Sequence, residues 1–599
     1  MLRLLRTSQG LSSRVVINHT SPVRAKIYLS ATDAVSQTAI KSRGAPVRYS
    51  SAQGTDGSDK KRTTGWGLGL GAVLVVSAYI AGRGTKSSKD SSKVGEQAGA
   101  DGGGKQLPST RSTLPFSRVV EAQHDTSPEN MAATRSEITA IIGEQAVTDR
   151  RDELSRHTSS AWSSYAELEA DNPRFVVYPS STEEVSAIMR ICHRRRVPVV
   201  AFGGGTSLEG HFANILRGIS IDLSRMNRIL DVHSADFDAV VQPGVEFEQL
   251  NESLASQNLF FPPDPGPGAT IGGMVGTGCS GTNAFYYGTI REWVLGLTVV
   301  LADGTIVKTR RRPRKSSAGY DLTRLFIGNE GTLGIVTEAT LKLTSKPVYE
   351  QVTVATFETF HAACDTVISL VAAGIHVAAV ELIGGRAMSW INESAGGERS
   401  WPEKPTLFLK FAGTEAGVGE QIKIVEEIAK AAGVTALDMA RSREESDDLW
   451  EARKQALFTA AGLKADDESS WITDVAVPIG RLADIVDLTS KDLIASGING
   501  GIIGHVGDGN FHCFLFYTPK QKDLAEDLVH RMVERAIDMD GTVTGEHGVG
   551  LIKRDYLHKE LGTPAVDLMR QIKNAFDPLC LLNCDKVVRM KPSLVDSER

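Results

Sequence analysis

Residues Pro262 to Gly288 read PPDPGPGATIGGMVGTGCSGTNAFYYG. Proline and glycine recur too often for a single helix or strand to run through it. Glycine permits positive φ and lets another group approach the backbone closely. A run this dense therefore predicts backbone N–H groups wrapped round a flat, anionic ligand. Gly276-x-Gly278-x-x-Gly281 matches the GxGxxG nucleotide pattern, but that pattern has meaning only between a strand and a helix. Thr270–Met274 precedes it and TNAFYYG follows, with no amphipathic helix. This argues against a Rossmann NAD site.

Upstream, Arg174–Pro179 reads as a strand and Ser181-x-x-Glu184 as a capping box. The helix it opens carries Val185, Ile188, Met189 and Cys192 at helical spacing, and Arg194–Arg196 suit its C-terminus. Pro198–Phe202 reads as the next strand. It runs straight into Gly203-Gly204-Gly205-Thr206-Ser207, a phosphate cradle by residue type: bare N–H groups beside two hydroxyls. A plain turn needs fewer glycines. Strands are expected at 219–223, 229–232 and 239–242, and a helix at 245–257. Downstream, strands Val294–Ala302 and Thr305–Thr309 meet at the hairpin turn Asp303-Gly304. That turn removes Asp303 as a ribose-binding acid.

Four motifs now stand in order: PSSTEEV (179–185), VAFGGGTSLEGH (200–211), the Pro/Gly stretch, and LFIGNEGTLGIVTEATLKL (325–343). Together they resemble the FAD-binding domain of the vanillyl-alcohol oxidase/PCMH flavoprotein family. The resemblance implies two small α/β subdomains over 171–347 with FAD stretched between them. Gly203, Gly204, Gly205, Thr206 and Ser207 would hold the pyrophosphate. Thr270, Gly272, Gly273, Gly276 and Gly278 would follow the flavin and pyrophosphate, and Gly334 and Ile335 would lie near the adenine.

The second half reads as an α+β sandwich. Strands are expected at 352–357, 378–383, 406–411 and 471–477, and helices at 359–373 and 417–432. Ser442-x-x-Glu445 opens a further helix whose inner stripe runs Leu449, Arg453, Ala456, Ala460. A buried arginine must meet an anion, either a structural Asp or Glu or a substrate carboxylate held bidentately. In Gly504-His505-Val-Gly-Asp-Gly-Asn-Phe-His512, a four-residue turn at 507–510 would pair 505 with 512 and point both imidazoles to one side. Two histidines and a carboxylate form a common divalent-metal set. Glu546-His547, in the loop GTVTGEHGVG, offers metal ligation by one residue and proton transfer by the other.

HVGDGNFH, TGEHGVG and SREESDDLWEARKQAL are similar to the substrate domain of the D-lactate/D-2-hydroxyacid dehydrogenase branch of the same family. The likeness covers 171–590, with 348–590 as a substrate (cap) domain whose C-terminal segment returns to the flavin. It implies that Arg453 binds the substrate carboxylate, His505, His512 and Glu546 hold zinc or manganese, His547 is the base, and Asn583 meets FAD. D-lactate would be oxidised to pyruvate and electrons passed to cytochrome c. D-2-hydroxyglutarate or glycolate oxidation, and a non-redox flavin-using transferase, are the alternatives. Relatives acting on D-2-hydroxyglutarate carry a lysine where Trp471–Pro478 has none, which points to a monocarboxylate. Where relatives end in LNPGKV this chain has LNCDKV, 582–587.

The chain has 599 residues, 41% hydrophobic and 23% charged, enough for more than one core. Residues 1–50 carry +7 and 51–106 carry +3; with a chain total of −6, residues 107–599 carry −16. An acidic body argues against nucleic acid and favours a basic protein partner. Residues 1–50 have the Arg-rich, acid-poor composition of a mitochondrial presequence. Gly65–Gly82 is uncharged and flanked by Lys60-Lys61-Arg62 and Arg83, as a transmembrane anchor would be. A flexible linker (83–106) and an N-terminal helical segment (107–170) follow. The expected whole is an α+β flavoprotein tethered to the mitochondrial inner membrane. The six cysteines suit a chain whose thiols stay reduced, with Cys580 and Cys584 as two unlinked thiols.

Overall fold

The computed structural model describes residues 111–160, 162–165, 169–394 and 400–592. The presequence, anchor and linker segments (1–50, 65–82 and 83–106) lie outside the described residues.

The first sheet is built from β1 (Val147–Thr148), β2 (Phe175–Val177), β3 (Val199–Phe202) and β4 (Ile219–Asp222), in the order β1-β2-β4-β3. β2 and β3 each pair parallel to β4. Parallel strands need a crossover, and helix α1 (Thr182–Arg195) supplies one between β2 and β3. Its stripe Val185, Ile188, Met189 and Cys192 is fully buried against the sheet. The Ser181 hydroxyl accepts from the Glu184 N–H at 3.2 Å. The Glu184 carboxylate reaches one residue further back than a capping box requires, to the N–H of Ser180. Arg196 ends the helix at φ 55°.

The second sheet is antiparallel: β5 (Ile229–His233), β6 (Asp238–Val241), β7 (Val294–Val300), β8 (Ile306–Lys308) and β9 (Ile335–Lys342), in the order β5-β6-β9-β7-β8. Asp303-Gly304 turns between β7 and β8, with Gly304 at φ 84°. Helices α2 (Phe247–Leu254) and α3 (Ile271–Thr277) pack on this sheet's core. The opening stretch is thus neither one helix nor one strand. It holds the seven-residue α3, which Gly278 ends at φ 71°.

The C-terminal part is one large sheet: β10 (Tyr349–Thr356), β11 (Ala379–Ile383), β12 (Thr406–Gly413), β13 (Ala436–Met439), β14 (Ser469–Ile472), β15 (Asn499–Gly504) and β16 (Asn510–Tyr517), in the order β13-β10-β12-β11-β15-β16-β14. Side chains alternate across it. Leu407, Leu409 and Phe411 face α4 (Phe360–Ala372), α5 (Glu415–Ala431), α7 (Leu482–Ser496) and α8 (Lys522–Asp538), and Phe408 faces α6 (Arg443–Gly462). After α9 (Thr563–Phe576) the chain returns to the first sheet. Leu582 bridges Val199 of β3 in parallel, and the Asn583 N–H donates to the Val199 carbonyl at 2.9 Å. The buried Lys573 ammonium pins this segment, donating to Leu582 O at 2.6 Å and Thr332 O at 2.7 Å.

Four expectations are corrected. Among the described residues no helix is long and apolar enough to cross a membrane. The longest, α6, carries Arg443, Glu444, Glu445, Asp447 and Asp448 in its first two turns. The fold class is therefore corrected to its α+β part; the span expected to carry the anchor, 65–82, lies outside the described residues. In the histidine hairpin, His512 pairs with Ile503 rather than with His505. The loop is longer than four residues: a 3-10 turn over Val506–Asp508 and left-handed Gly509 lie between His505 and Asn510. The expected strand 471–477 breaks at Thr473-Asp474 into β14 and a separate pair, Val475–Ala476. Cys580 and Cys584 are joined as a disulfide, their Cα atoms 5.2 Å apart. Left-handed backbone at Cys580 and Asn583 folds the segment back on itself, which spacing alone does not reveal. The other four cysteines are free and buried.

Candidate active site

A cavity of about 600 Å³ lies between the glycine loops of the N-terminal part and the histidines of the large sheet. It is lined by Gly203, Gly204, Gly205, Thr206, Ser207, Thr270, Gly272, Gly273, Gly276, Gly334, Ile335 and Asn583 on one side, and by Arg453, His505, His512, Glu546 and His547 on the other. Of the site residues expected from sequence, Gly278 alone does not line it; its glycine serves the left-handed end of α3.

On the histidine side each group is fixed by a partner remote in sequence. The His505 Nδ1 lies 2.8 Å from Glu381 Oε1 on β11. His512 Nδ1 lies 2.9 Å from the Thr473 carbonyl, which can only accept, so this nitrogen carries the proton. Both Nε2 atoms then point at one oxygen, Glu546 Oε1, from 3.2 Å and 3.1 Å. Electron-pair donors facing one another need a proton or a cation between them, and imidazoles ordered through Nδ1 are how proteins present Nε2 to a metal. Burial alone would lower the His505 pKa, but Glu381 and Glu546 outweigh it and hold it well above the usual imidazole range. Burial would likewise raise Glu546, yet His505 and His512 keep its carboxyl far below the usual range.

Arg453, buried on α6, gives one Nη to Glu381, so the structural anion anticipated for it is present. Its Nε is buried without a hydrogen-bond partner, on a side chain that lines the cavity. Glu381 thus holds the arginine and His505 together.

The Glu546-His547 loop is organised by Asp474, which sits where the expected strand breaks. Its Oδ2 accepts from the N–H groups of Glu546 and His547, both at 2.9 Å, and from Thr544 Oγ1 at 2.8 Å. Burial disfavours this carboxylate, but His547 and Lys553 hold its pKa well below the ordinary value. Glu330 grips the same loop from the N-terminal part, accepting from Val549 N–H at 2.6 Å and Gly550 N–H at 2.7 Å. The His547 ring stacks on His512, centroids 4.9 Å apart and 11° from parallel.

Two family models match the chain: an FAD binding domain over 173–310, and the C-terminal domain of FAD linked oxidases over 346–587. The mitochondrial D-lactate dehydrogenase [cytochrome] of Kluyveromyces lactis is 46% identical over 454 residues, 74% of this chain and 79% of that protein. That of Saccharomyces cerevisiae is 43% identical over 500 residues, 82% and 85% of the two chains. The chain belongs to this family of FAD-dependent dehydrogenases. Membership makes it an FAD-dependent oxidoreductase. Among solved structures, a 4-ethylphenol oxidase from Gulosibacter chungangensis superimposes with a TM-score of 0.66 over 80% of this chain and 100% of that one, at 18% identity. An alkyldihydroxyacetonephosphate synthase does so at 0.60, over 80% and 89%, at 19% identity. These two share the fold.

The glycine side fits the family's cofactor. A Cβ on Gly204 would stand 2.5 Å from the Gly268 carbonyl, and one on Gly203 would stand 2.9 Å from Thr270 Oγ1. The two loops therefore meet backbone to backbone. The Thr270 hydroxyl at their junction is buried and lacks a hydrogen-bond partner. A Cβ on Gly276 would meet no protein atom within 4 Å. Gly276 lines the cavity with ordinary backbone torsion, so nothing in the protein demands its glycine; a ligand in the cavity would.

Sequence reasoning missed Glu381, Asp474, Glu330, Glu209 and Lys553. A signal existed for the first two: each is an acid inside an apolar run, AAVELI or WITDVAVP, and a buried acid must be paired.

Proposed function

We propose that this protein oxidises D-lactate to pyruvate and passes the electrons to a cytochrome, cytochrome c being the acceptor that suits its acidic body. The observation that carries the reading is that Arg453, His505, His512, Glu546 and His547 share one cavity with the glycine loops. Relatives named mitochondrial D-lactate dehydrogenase [cytochrome] support the substrate, the acceptor and a mitochondrial location. In this reading 171–347 is the FAD-binding domain and 348–590 the substrate domain.

FAD held along Gly203–Ser207, Thr270, Gly272, Gly273, Gly276, Gly334, Ile335 and Asn583 supplies the two-electron acceptor. A zinc or manganese ion held by His505, His512 and Glu546 would supply acidification of the substrate hydroxyl. Arg453 receives the lactate carboxylate through the N–H left unpartnered by Glu381 and fixes the orientation of Cα. His547, held over His512 and by its backbone to Asp474, takes the hydroxyl proton. The apolar residues Ile472, Ile503 and Phe514, which also line the cavity, exclude water from that transfer.

The test uses purified protein with its flavin. D-lactate should bleach the flavin and drive cytochrome c reduction, L-lactate should not, and His547→Ala should cut bleaching to a small residual rate while FAD stays bound. Loss of FAD in that variant would sink the base assignment. Faster bleaching by glycolate or D-2-hydroxyglutarate would move the substrate. Lys454, which lines the cavity one residue from Arg453, is the group that would receive a second carboxylate.

A further inference from the structure

The imidazole read above as the base is approached by groups from both parts of the chain, and one of them is a buried carboxylate aimed at its far nitrogen. Glu209 lies in the loop that follows Gly203–Ser207 and is wholly buried. One carboxylate oxygen, Oε2, accepts from Ser164 Oγ at 3.2 Å. The other, Oε1, lies 3.0 Å from Lys553 Nζ and 3.7 Å from His547 Nδ1. That Nδ1 is buried and has no hydrogen-bond partner. Asp474 makes no hydrogen bond to it; its Oδ2 is taken by Thr544 Oγ1 and the N–H groups of Glu546 and His547, and its Oδ1 accepts from Asn510 Nδ2. Backbone contacts bring Glu209 and the loop together. The Leu551 N–H donates to the Glu209 carbonyl at 2.8 Å. Gly550, at φ 53°, leaves only 2.0 Å between a built Cβ and that same carbonyl oxygen.

We propose that Glu209 is the positioning residue for His547. Resting on the reading of His547 as the base, it selects the tautomer with the proton on Nδ1 and turns the Nε2 lone pair toward the substrate. A contact of 3.7 Å is too long for a hydrogen bond, and such base–carboxylate contacts commonly tighten when substrate binds. Three constraints then define the ring. Asp474 holds the backbone, His512 holds the ring plane, and Glu209 holds the far nitrogen. Lys553 lies within 3.0 Å of Glu209 and 3.6 Å of Asp474, so one buried ammonium balances both carboxylates. The arrangement repeats a general rule: a catalytic imidazole is oriented by a third group bound to its other nitrogen.

The experiment compares wild type, Glu209→Gln, Glu209→Asp, His547→Ala and the Glu209→Gln/His547→Ala double variant, each with its flavin bound. Flavin content per chain, kcat and KM for D-lactate, and the isotope effect from deuterium at lactate C2 are measured. Glu209→Gln should keep its FAD, hold KM within about threefold, and lose about 10- to 100-fold in kcat, as loss of an orienting partner typically costs. Glu209→Asp should recover part of that loss. In the His547→Ala background the same substitution should cost nothing further, because residues acting as one unit are not additive. An unchanged kcat, an equal loss in the His547→Ala background, or loss of FAD from both Glu209 variants would overturn the proposal. If wild type itself fails to bleach with D-lactate, the functional reading fails first, which is a separate outcome.

Discussion

The two walls of the cavity are made in opposite ways. The glycine wall is backbone with its side chains removed, and what it forbids is volume: Gly203 and Gly204 have less than 3 Å of room for a Cβ. The histidine wall is side chain throughout, and what it forbids is an unbalanced charge. Glu381, Asp474, Glu330 and Glu209 are all buried, and each holds two or more groups. One wall should fail by steric exclusion of its ligand, the other by electrostatic collapse.

The sharpest break should come at Gly204. In Gly204→Val the added carbons meet the Gly268 carbonyl, a backbone atom that cannot swing aside. The protein should therefore be recovered without flavin, checked by its visible absorbance per chain. Gly276→Ala makes the converse test, since its methyl meets no protein atom within 4 Å. It should weaken FAD retention while the flavin-free unfolding midpoint holds or rises, alanine being the better helix former within α3.

Asp474→Asn should be the costliest change on the histidine wall. It leaves Lys553 short of a counter-charge and the His547 loop held by a weaker acceptor. Removing one partner of a buried charge set costs about 3–5 kcal/mol, to be read by denaturant unfolding, with kcat lost alongside. Glu381→Gln is next. Arg453 and His505 lose their shared anion, and kcat/KM for D-lactate should fall about 10- to 100-fold. Bound zinc or manganese should fall with it, as measured by elemental analysis.

The smallest effect on activity belongs where the walls meet. Burial lowers the Lys586 ammonium to about 7 from 10.5, against the pull of Glu330 and Asp171. Its folded pKa thus lies below its unfolded one. Below pH 7 the folded chain carries a buried charge at a cost. Between about 7 and 10.5 the unfolded chain binds more protons, so stability rises with pH. Lys586→Met should remove that rise, about 4 kcal/mol for a shift of this size, in unfolding curves taken side by side from pH 6 to about pH 10. A rise that persists in the variant would place its origin elsewhere.

The same contrast explains what could be read from sequence. Volume is a local property, so the glycine wall is visible as GGGTS and TIGGMVG. His505, His512, Glu546 and His547 are visible because their residue types are rare and clustered. Their partners are not: Glu381 lies 124 residues from His505 and 72 from Arg453, and no spacing rule connects them. The hairpin shows how parity can survive an error. Its register is off by two, yet two is the period of a strand, and the imidazoles still stand 5.4 Å apart. Gly278 ends α3 in the left-handed region; in sequence, a glycine that ends a helix and one that admits a ligand look alike.

One connection has a consequence for how the protein is made. Asn583 sits against β3 at the root of the Gly203 loop, and its amide donates to the carbonyl of Glu330, 253 residues earlier. The cradle begun at β3 is closed by a segment translated long after it. A ribosome must pass residue 583 before the cradle is closed, and a chain cut short of that residue lacks this contact. Flavin uptake therefore reports that the chain has been made at least as far as this segment.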